Sequence, residues 1–170
     1  IYVLLLSSQK KSTMIIELWS LGKENSQIVD VAIAEYSKRI NRYNTFKMVT
    51  IDNSKVNKNL PLEQILDKEA VLIRQKLQDR DILIVLDDKG KAFTSRQFAE
   101  KLNQQMNLSP LRIIFLIGGS FGTASSIKED AQLTMSLSAL TFPHQLVRLL
   151  FTEQLYRAFT ILKNEKYHHE

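Results

Sequence analysis

Residues 111–122 read Leu-Arg-Ile-Ile-Phe-Leu-Ile-Gly-Gly-Ser-Phe-Gly, and the fold turns on them. Leu111 to Ile117 runs almost unbroken through apolar side chains and stops at a glycine-rich turn. A strand with one wet face alternates apolar and polar residues. A continuous apolar run needs cover on both faces, as in the central strands of parallel sheets. Glycines at a strand's end let the backbone approach a ligand closely. They also serve as a tight connection into a helix, and the turn alone leaves both readings open.

Working outward, Asp81 to Leu86 contains Ile-Leu-Ile-Val-Leu, a second buried strand. Met14 to Ser20, Phe46 to Ile51 and Leu133 to Leu137 read as three more. Helical patterns fall between them. Over 26–43 the apolar face is Ile28, Val31, Ala32, Tyr36, Ile40 and Tyr43. Over 61–78 it is Leu62, Ile65, Leu66, Ile73 and Leu77, with Pro61 in the first turn. A helix over 95–107 starts at a capping box of Thr94 and Gln97. A short helix follows over 124–130, and a last one from Pro143 to about Lys163. Asp52 to Leu60, with three asparagines and two lysines, reads as a mobile loop. Strands alternating with helices predict one α/β domain around a mostly parallel sheet.

Composition agrees. A chain of 170 residues suits a single domain, and 44% hydrophobic with 24% charged residues excludes a wholly disordered one. With no cysteine there is no disulfide, thiolate nucleophile or cysteine zinc site, which fits a reducing compartment such as the cytoplasm. No segment approaches the ~20 apolar residues that span a bilayer, so no membrane partner is expected. Ile1 to Leu6 is apolar, but too short for a signal-peptide core, and Lys10 and Lys11 follow it. Residues 1–13 are therefore expected to be an N-terminal extension, with the domain over 14–170 and its native start at Met14.

The formal charge is +5. Residues 1–80 hold 13 basic against 9 acidic side chains, and residues 81–170 hold 10 against 9, so the excess is mostly N-terminal. Lys38, Arg39, Arg42 and Lys47 cluster near the end of the first helix. They fit a solvated helix end, where cations oppose the macrodipole, and equally a phosphate contact.

Ligands of open parallel sheets bind outside the carboxyl ends of the strands. Three loops qualify: 86–91, 118–122 and 138–144. The glycine turn lacks the spacing of a dinucleotide fingerprint and of a P-loop. The three histidines, His144, His168 and His169, lack metal-ligand spacing, so no metal is expected. The last helix is apolar around most of its circumference, which calls for cover by a second subunit or for deep burial in one chain. Arg148 and Arg157 on that helix need an anionic partner, either Glu153 or a ligand. The histidine-bearing tail reads either as a tag-like end or as a functional element.

At these residues the sequence resembles a known family. Phe115-Leu-Ile-Gly-Gly-Ser-Phe-Gly122, Leu137-Ser-Ala-Leu-Thr-Phe-Pro-His-Gln-Leu-Val-Arg148, Glu153-Gln-Leu-Tyr-Arg157 and the terminal Tyr167-His-His-Glu170 resemble the RlmH family of SPOUT-class ribosomal RNA large-subunit methyltransferases. Leu86-Asp87, Gly90-Lys91 and Glu35-Tyr36-Ser-Lys-Arg39 fit as well. The resemblance covers essentially all of 14–170. Loop 52–60 departs from the longer, more basic stretch of many members. The resemblance implies a SPOUT fold with a deep C-terminal trefoil knot and a homodimer packed through the last helix. It implies S-adenosylmethionine held by Leu86, Gly118, Leu137, Ser138, Ala139, Leu140, Thr141 and Phe142, largely through backbone groups. It implies methylation of a ring nitrogen of a pseudouridine in large-subunit ribosomal RNA on the assembled ribosome.

The residues suit that chemistry. An imide nitrogen must lose its proton at or before attack on the methyl group. Arg148 is the candidate stabiliser of the resulting anion, and His168 or His144 the candidate base. Lys38, Arg39, Arg42, Tyr167 and His169 are the candidate RNA contacts, the tyrosine by stacking on a base. A ribosome-binding module without catalysis, or another α/β enzyme with a nucleotide-like cofactor, would share these features.

Overall fold

The computed structural model describes residues 14–22 and 27–167. Residues 1–13, expected to be an extension, and His168 and His169 lie outside them. The elements alternate as β1 (Ile15–Leu21), α1 (Gln27–Ile40), β2 (Phe46–Ile51), α2 (Leu62–Arg74), β3 (Asp81–Ala92), α3 (Ser95–Asn107), β4 (Arg112–Ile117), α4 (Ser125–Asp130), β5 (Leu133–Ser136) and α5 (His144–Leu162). The five strands form one sheet in the order β2-β1-β4-β3-β5, and every neighbouring pair is parallel.

The apolar runs work as expected, with odd and even side chains feeding two different cores. Ile113, Phe115 and Ile117 of β4, with Ile82, Ile84 and Leu86 of β3, face α3 and α5. Ile114 and Leu116, with Leu83 and Val85, face α2 and α4 on the opposite side. The capping box at α3 is present: Thr94 Oγ1 accepts from the Gln97 amide at 3.2 Å, and Gln97 Oε1 from the Thr94 amide at 2.9 Å.

Four expectations change. In α1 the inward residues are Ile33 and Ile40, while Ile28 and Val31 are 85% and 73% exposed. Ile40 keeps the inward place read off the sequence and Tyr43 packs on the core, but in the first half of the helix Ile33 faces inward in place of Ile28 and Val31. The strand expected to end at Leu86 runs on to Ala92, because Lys91 and Ala92 pair again with Met135 and Ser136 after a register shift. Its polar Asp-Asp-Lys-Gly-Lys tail carries no apolar signal. Pro61 precedes α2 as its N-cap rather than lying in its first turn.

Loop 52–60 is anchored rather than loose. Val56 is buried, and Asp52 and Asn57 carboxyl and amide oxygens accept from the backbone two residues on, at Ser54 and Asn59. These short Asx turns fix the backbone locally.

The apolar α5 finds much of its cover inside the chain. It packs on both α1 and α3. Phe151 meets Phe115 with ring centroids 4.5 Å apart, and Leu155, Ala158 and Phe159 are buried. Leu146 and Leu150, in its first half, stay 40% and 38% exposed. Among the described residues no helix is long and apolar enough to cross a membrane.

Candidate functional site

A cleft of about 340 Å³ lies where the middle of β3 meets the carboxyl ends of β4 and β5. That is in the range of small-molecule sites. The three segments singled out from sequence meet here, although 86–91 is strand and not loop and contributes only its first three residues. Leu86, Asp87 and Asp88 come from β3, Gly118 to Ser120 with Gly122 and Thr123 follow β4, and Ser136 to Ser138 with Leu140 to Phe142 follow β5. His144 and Val147 of α5 close one side. Ala139 is exposed and does not line the cleft. Asp87 and Ser120, named in sequence only as parts of two of these segments, line it too, as do Thr123, Ser136 and Val147, which sequence reasoning left out.

Each loop is held locally. Gly119 and Gly122 exchange two hydrogen bonds, 3.1 Å and 2.9 Å, closing a tight turn with Gly122 at φ 87°. A β-carbon on Gly118 would come within 2.5 Å of the Gly122 carbonyl group, so this position is glycine because the turn folds against it. After β5, two serines staple the chain. Ser136 Oγ donates to the Ser138 carbonyl at 2.7 Å, and Ser138 Oγ accepts from the Leu140 amide at 2.9 Å. The cleft wall is thus largely fixed backbone between apolar side chains.

Asp87 pairs with Lys128 of α4 at 2.6 Å and accepts from the Lys89 amide at 3.0 Å. Burial works against its charge, but the hydrogen bonds from Lys128 and Lys89 win and hold the carboxyl below its usual value. A carboxyl lowered in the folded state adds stability above its unfolded value of about 4, lost as pH falls through the folded value. Asp87→Asn should therefore flatten the acid side of the stability curve. Urea midpoints of both proteins across the acid range check this, and identical acid slopes would contradict it.

The remaining candidates lie elsewhere. Arg148 is one turn beyond His144 but does not line the cleft; its guanidinium faces Asp30 of α1 at 3.5 Å. Arg157 binds Glu153 at 2.6 Å, so its anionic partner is the structural one. That hydrogen bond, ahead of any other influence, raises the guanidinium pKa. Lys38 and Arg39 in the last turn of α1, and Arg42 just beyond it, lie where the chain enters β2, at the amino ends of the parallel strands and away from the cleft. Arg39 pairs with Glu35 and lies over the Tyr36 and Tyr156 rings, while Lys38 and Arg42 are exposed.

Tyr167 departs from its expected role as an outward RNA contact. It packs edge-on against Tyr156 at 4.7 Å, donates to Glu153 at 3.2 Å and lies under the Arg157 guanidinium. Burial, then hydrogen bonding with Tyr36, pushes its phenol well above the usual value. The chain therefore folds back after α5, bringing Tyr167 to the level of Glu153, about 13 Å along the axis from His144. Tyr167→Ala should cost about 1–2 kcal/mol by removing an aromatic pair and a cation–π contact. Denaturant titration measures that, and an unchanged midpoint would show the docking to be energetically empty.

Among the described residues no group of three histidine, aspartate or glutamate side chains gathers to hold a metal ion. Comparison with known proteins adds the following. The profile of the family described as "Predicted SPOUT methyltransferase" matches residues 14–168. A protein of Parabacteroides distasonis named ribosomal RNA large subunit methyltransferase H is 45% identical over 157 residues, covering 92% of this chain and 100% of that one. A protein of the same name from Christiangramia forsetii is 44% identical over 156 residues, covering 92% and 99%. Among solved structures, a probable methylase family protein from Haemophilus influenzae superposes with a TM-score of 0.53 at 13% identity, over 91% of this chain and 70% of that one. At that identity the likeness bears on the fold alone.

Proposed function

The chain belongs to the SPOUT methyltransferase family, and from that premise we propose that it uses S-adenosylmethionine to methylate a ring nitrogen of a pseudouridine in large-subunit ribosomal RNA, in the cytoplasm. The observation that carries the reading is the match along nearly the whole chain to proteins named for large-subunit ribosomal RNA methylation. The trefoil knot implied by the family resemblance belongs to the same proposal.

The cleft suits the cofactor. Leu86, Leu137, Leu140 and Phe142 offer apolar surface for a purine, and the backbone of 137–142, outside any helix or strand, offers hydrogen-bonding groups for its edge. Gly118 leaves no side chain between the cleft and the turn. Asp87 and Asp88 place carboxylates beside a ligand that carries positive charge. When bound, S-adenosylmethionine supplies an activated methyl group.

The protein's own task is to orient the nucleophile and manage one proton. His144 lines the cleft at the start of α5 and is proposed to accept the imide proton. Arg148, one turn further along, does not line the cleft and faces Asp30; its proposed part in favouring the anion left behind requires the guanidinium to leave that contact. His144→Ala is expected to lower methyl transfer at least about tenfold with cofactor binding retained, equivalent to about 1.4 kcal/mol in the barrier. Full activity would hand the proton to another group, His168 being next.

The protomer is proposed to pair with a second copy. The Asp30–Arg148 contact sets the starts of α1 and α5 side by side, and Ile28, Val31, Leu146 and Leu150 are exposed on those segments. In such a dimer the tail of one protomer would complete the site of its partner. Specificity is proposed to come from the shape of the ribosomal surface, because phosphate contacts from a modest basic excess are largely non-specific. Purified protein should transfer labelled methyl from S-adenosylmethionine to ribosomes that lack the modification, and poorly to a short isolated hairpin. Equal transfer to both would contradict the ribosomal part of the reading.

A further inference from the structure

The inward face of α2 carries one charged side chain. Glu69 is 3% exposed, one turn from Ile65 and one from Ile73, both buried. Its Oε1 accepts from Asn53 Nδ2 at 2.8 Å and from Lys58 Nζ at 3.0 Å, both on loop 52–60. Its Oε2 accepts no hydrogen bond among the described residues. That side of the carboxylate lies against Gly119: a β-carbon there would sit 2.7 Å from Oε2 and 3.1 Å from Oε1. Gly119 in turn lines the cleft and closes the 119–122 turn. The cluster also reaches the end of β1, where a β-carbon on Gly22 would meet Asn53 Oδ1 at 3.1 Å.

Stability does not account for this carboxylate. Burying a charge is costly even when it is paired, and apolar replacements of similar volume are often neutral or stabilising. Ala70 and Ile73 of α2 already pack into the core on this face of the sheet, and Ile65 is buried as well. A binding wall made of backbone has a different need. Glycines have no side-chain packing to lock them, so their position must be fixed from behind.

We propose that Glu69 is a positioning residue for the cofactor cleft: its carboxylate buttresses Gly119 from the side away from the ligand and ties loop 52–60, through Lys58 and Asn53, to the same turn. The inference rests on the reading of the cleft as an S-adenosylmethionine site. It gives loop 52–60 a place in the site's architecture without an RNA contact of its own.

A double-mutant cycle tests the contact directly. Glu69→Asp draws the carboxylate back by one methylene, and Gly119→Ala pushes a methyl group into the space it occupies. Titration calorimetry with S-adenosylmethionine reads the dissociation constant, with melting temperature beside it. Each single substitution should weaken binding about tenfold, while the double variant recovers to within about threefold of wild type. A structural role alone would lower melting temperatures and leave the losses additive. Should Glu69→Asp not fold, Glu69→Gln with Lys58→Met forms a second cycle, with non-additive losses expected. Wild-type affinity in either Glu69 variant, or additive losses, overturns the inference. A wild-type protein that binds no S-adenosylmethionine overturns the reading of the cleft and the inference with it.

Discussion

Replacing Gly118 with valine is expected to weaken S-adenosylmethionine binding at least about a hundredfold, close to 3 kcal/mol. The cause is steric and local. A β-carbon at 118 would lie within 2.5 Å of the Gly122 carbonyl group, and backbone cannot swing aside as a long side chain can. The 118–122 turn must open, and Gly118, Gly119 and Gly122 leave their places in the cleft wall. From sequence alone, the glycine turn reads either as a ligand's approach or as a tight connection; the structure shows that Gly118 is needed for the turn's own closure. Gly122→Ala provides the contrast. Its φ of 87° is strained for alanine, but a β-carbon there meets nothing within 4 Å. It should cost about 1 kcal/mol of stability and bind much closer to wild type. Calorimetric titration of the two variants, with circular dichroism to confirm folding, checks both. Normal affinity in a folded Gly118→Val protein would remove the cofactor from this cleft.

The second large effect concerns the proposed dimer. Leu146→Glu combined with Leu150→Glu is expected to weaken self-association at least about a thousandfold, equivalent to about 4 kcal/mol. The wild-type contact would cover Ile28, Val31, Leu146 and Leu150 in both copies, worth about 10 kcal/mol before association costs. Because a twofold contact repeats every substitution, the double variant places four carboxylates in an apolar interface. Both leucines are partly solvent-exposed in the single chain, so the protomer's own core should tolerate the change. Sedimentation at micromolar concentration should show a dimer for wild type and a folded monomer for the variant. A wild-type monomer would sink this prediction.

The sheet was legible because buried parallel strands write long apolar runs, as at Leu83–Leu86 and Ile113–Ile117. The capping box was legible because it is a local exchange between Thr94 and Gln97. The cleft was legible from the glycine turn after β4 and the segment after β5, whereas 86–91 read as a loop because its polar residues hide the continuation of β3. What escaped was set by long-range packing. The inward stripe of α1 depends on where α5 lies, and Ile28 and Val31 were assigned to the core that α5 already filled. Tyr167 looked like a free tail residue because nothing in its neighbours announces a pocket made by Tyr156, Glu153 and Arg157. Arg148 looked bound for the ligand, and its nearness to Asp30 joins two helices far apart in sequence.

Glu69 did leave a signal. It lies four residues from Ile65 and four from Ile73, on the apolar stripe of an amphipathic helix, where a carboxylate needs a reason. Its partners, Asn53, Lys58 and Gly119, come from two other segments, so the reason was invisible until the fold brought them together.

If this cleft performs the proposed methylation of a pseudouridine in large-subunit ribosomal RNA, that mark depends on this protein. Mass mapping of that RNA from cells lacking the protein, and again after its restoration, tests it most directly. The account predicts that one methyl group on one pseudouridine disappears with the protein. It should return with the wild-type chain and stay absent with Gly118→Val. An identical modification map in all the cells would contradict the account.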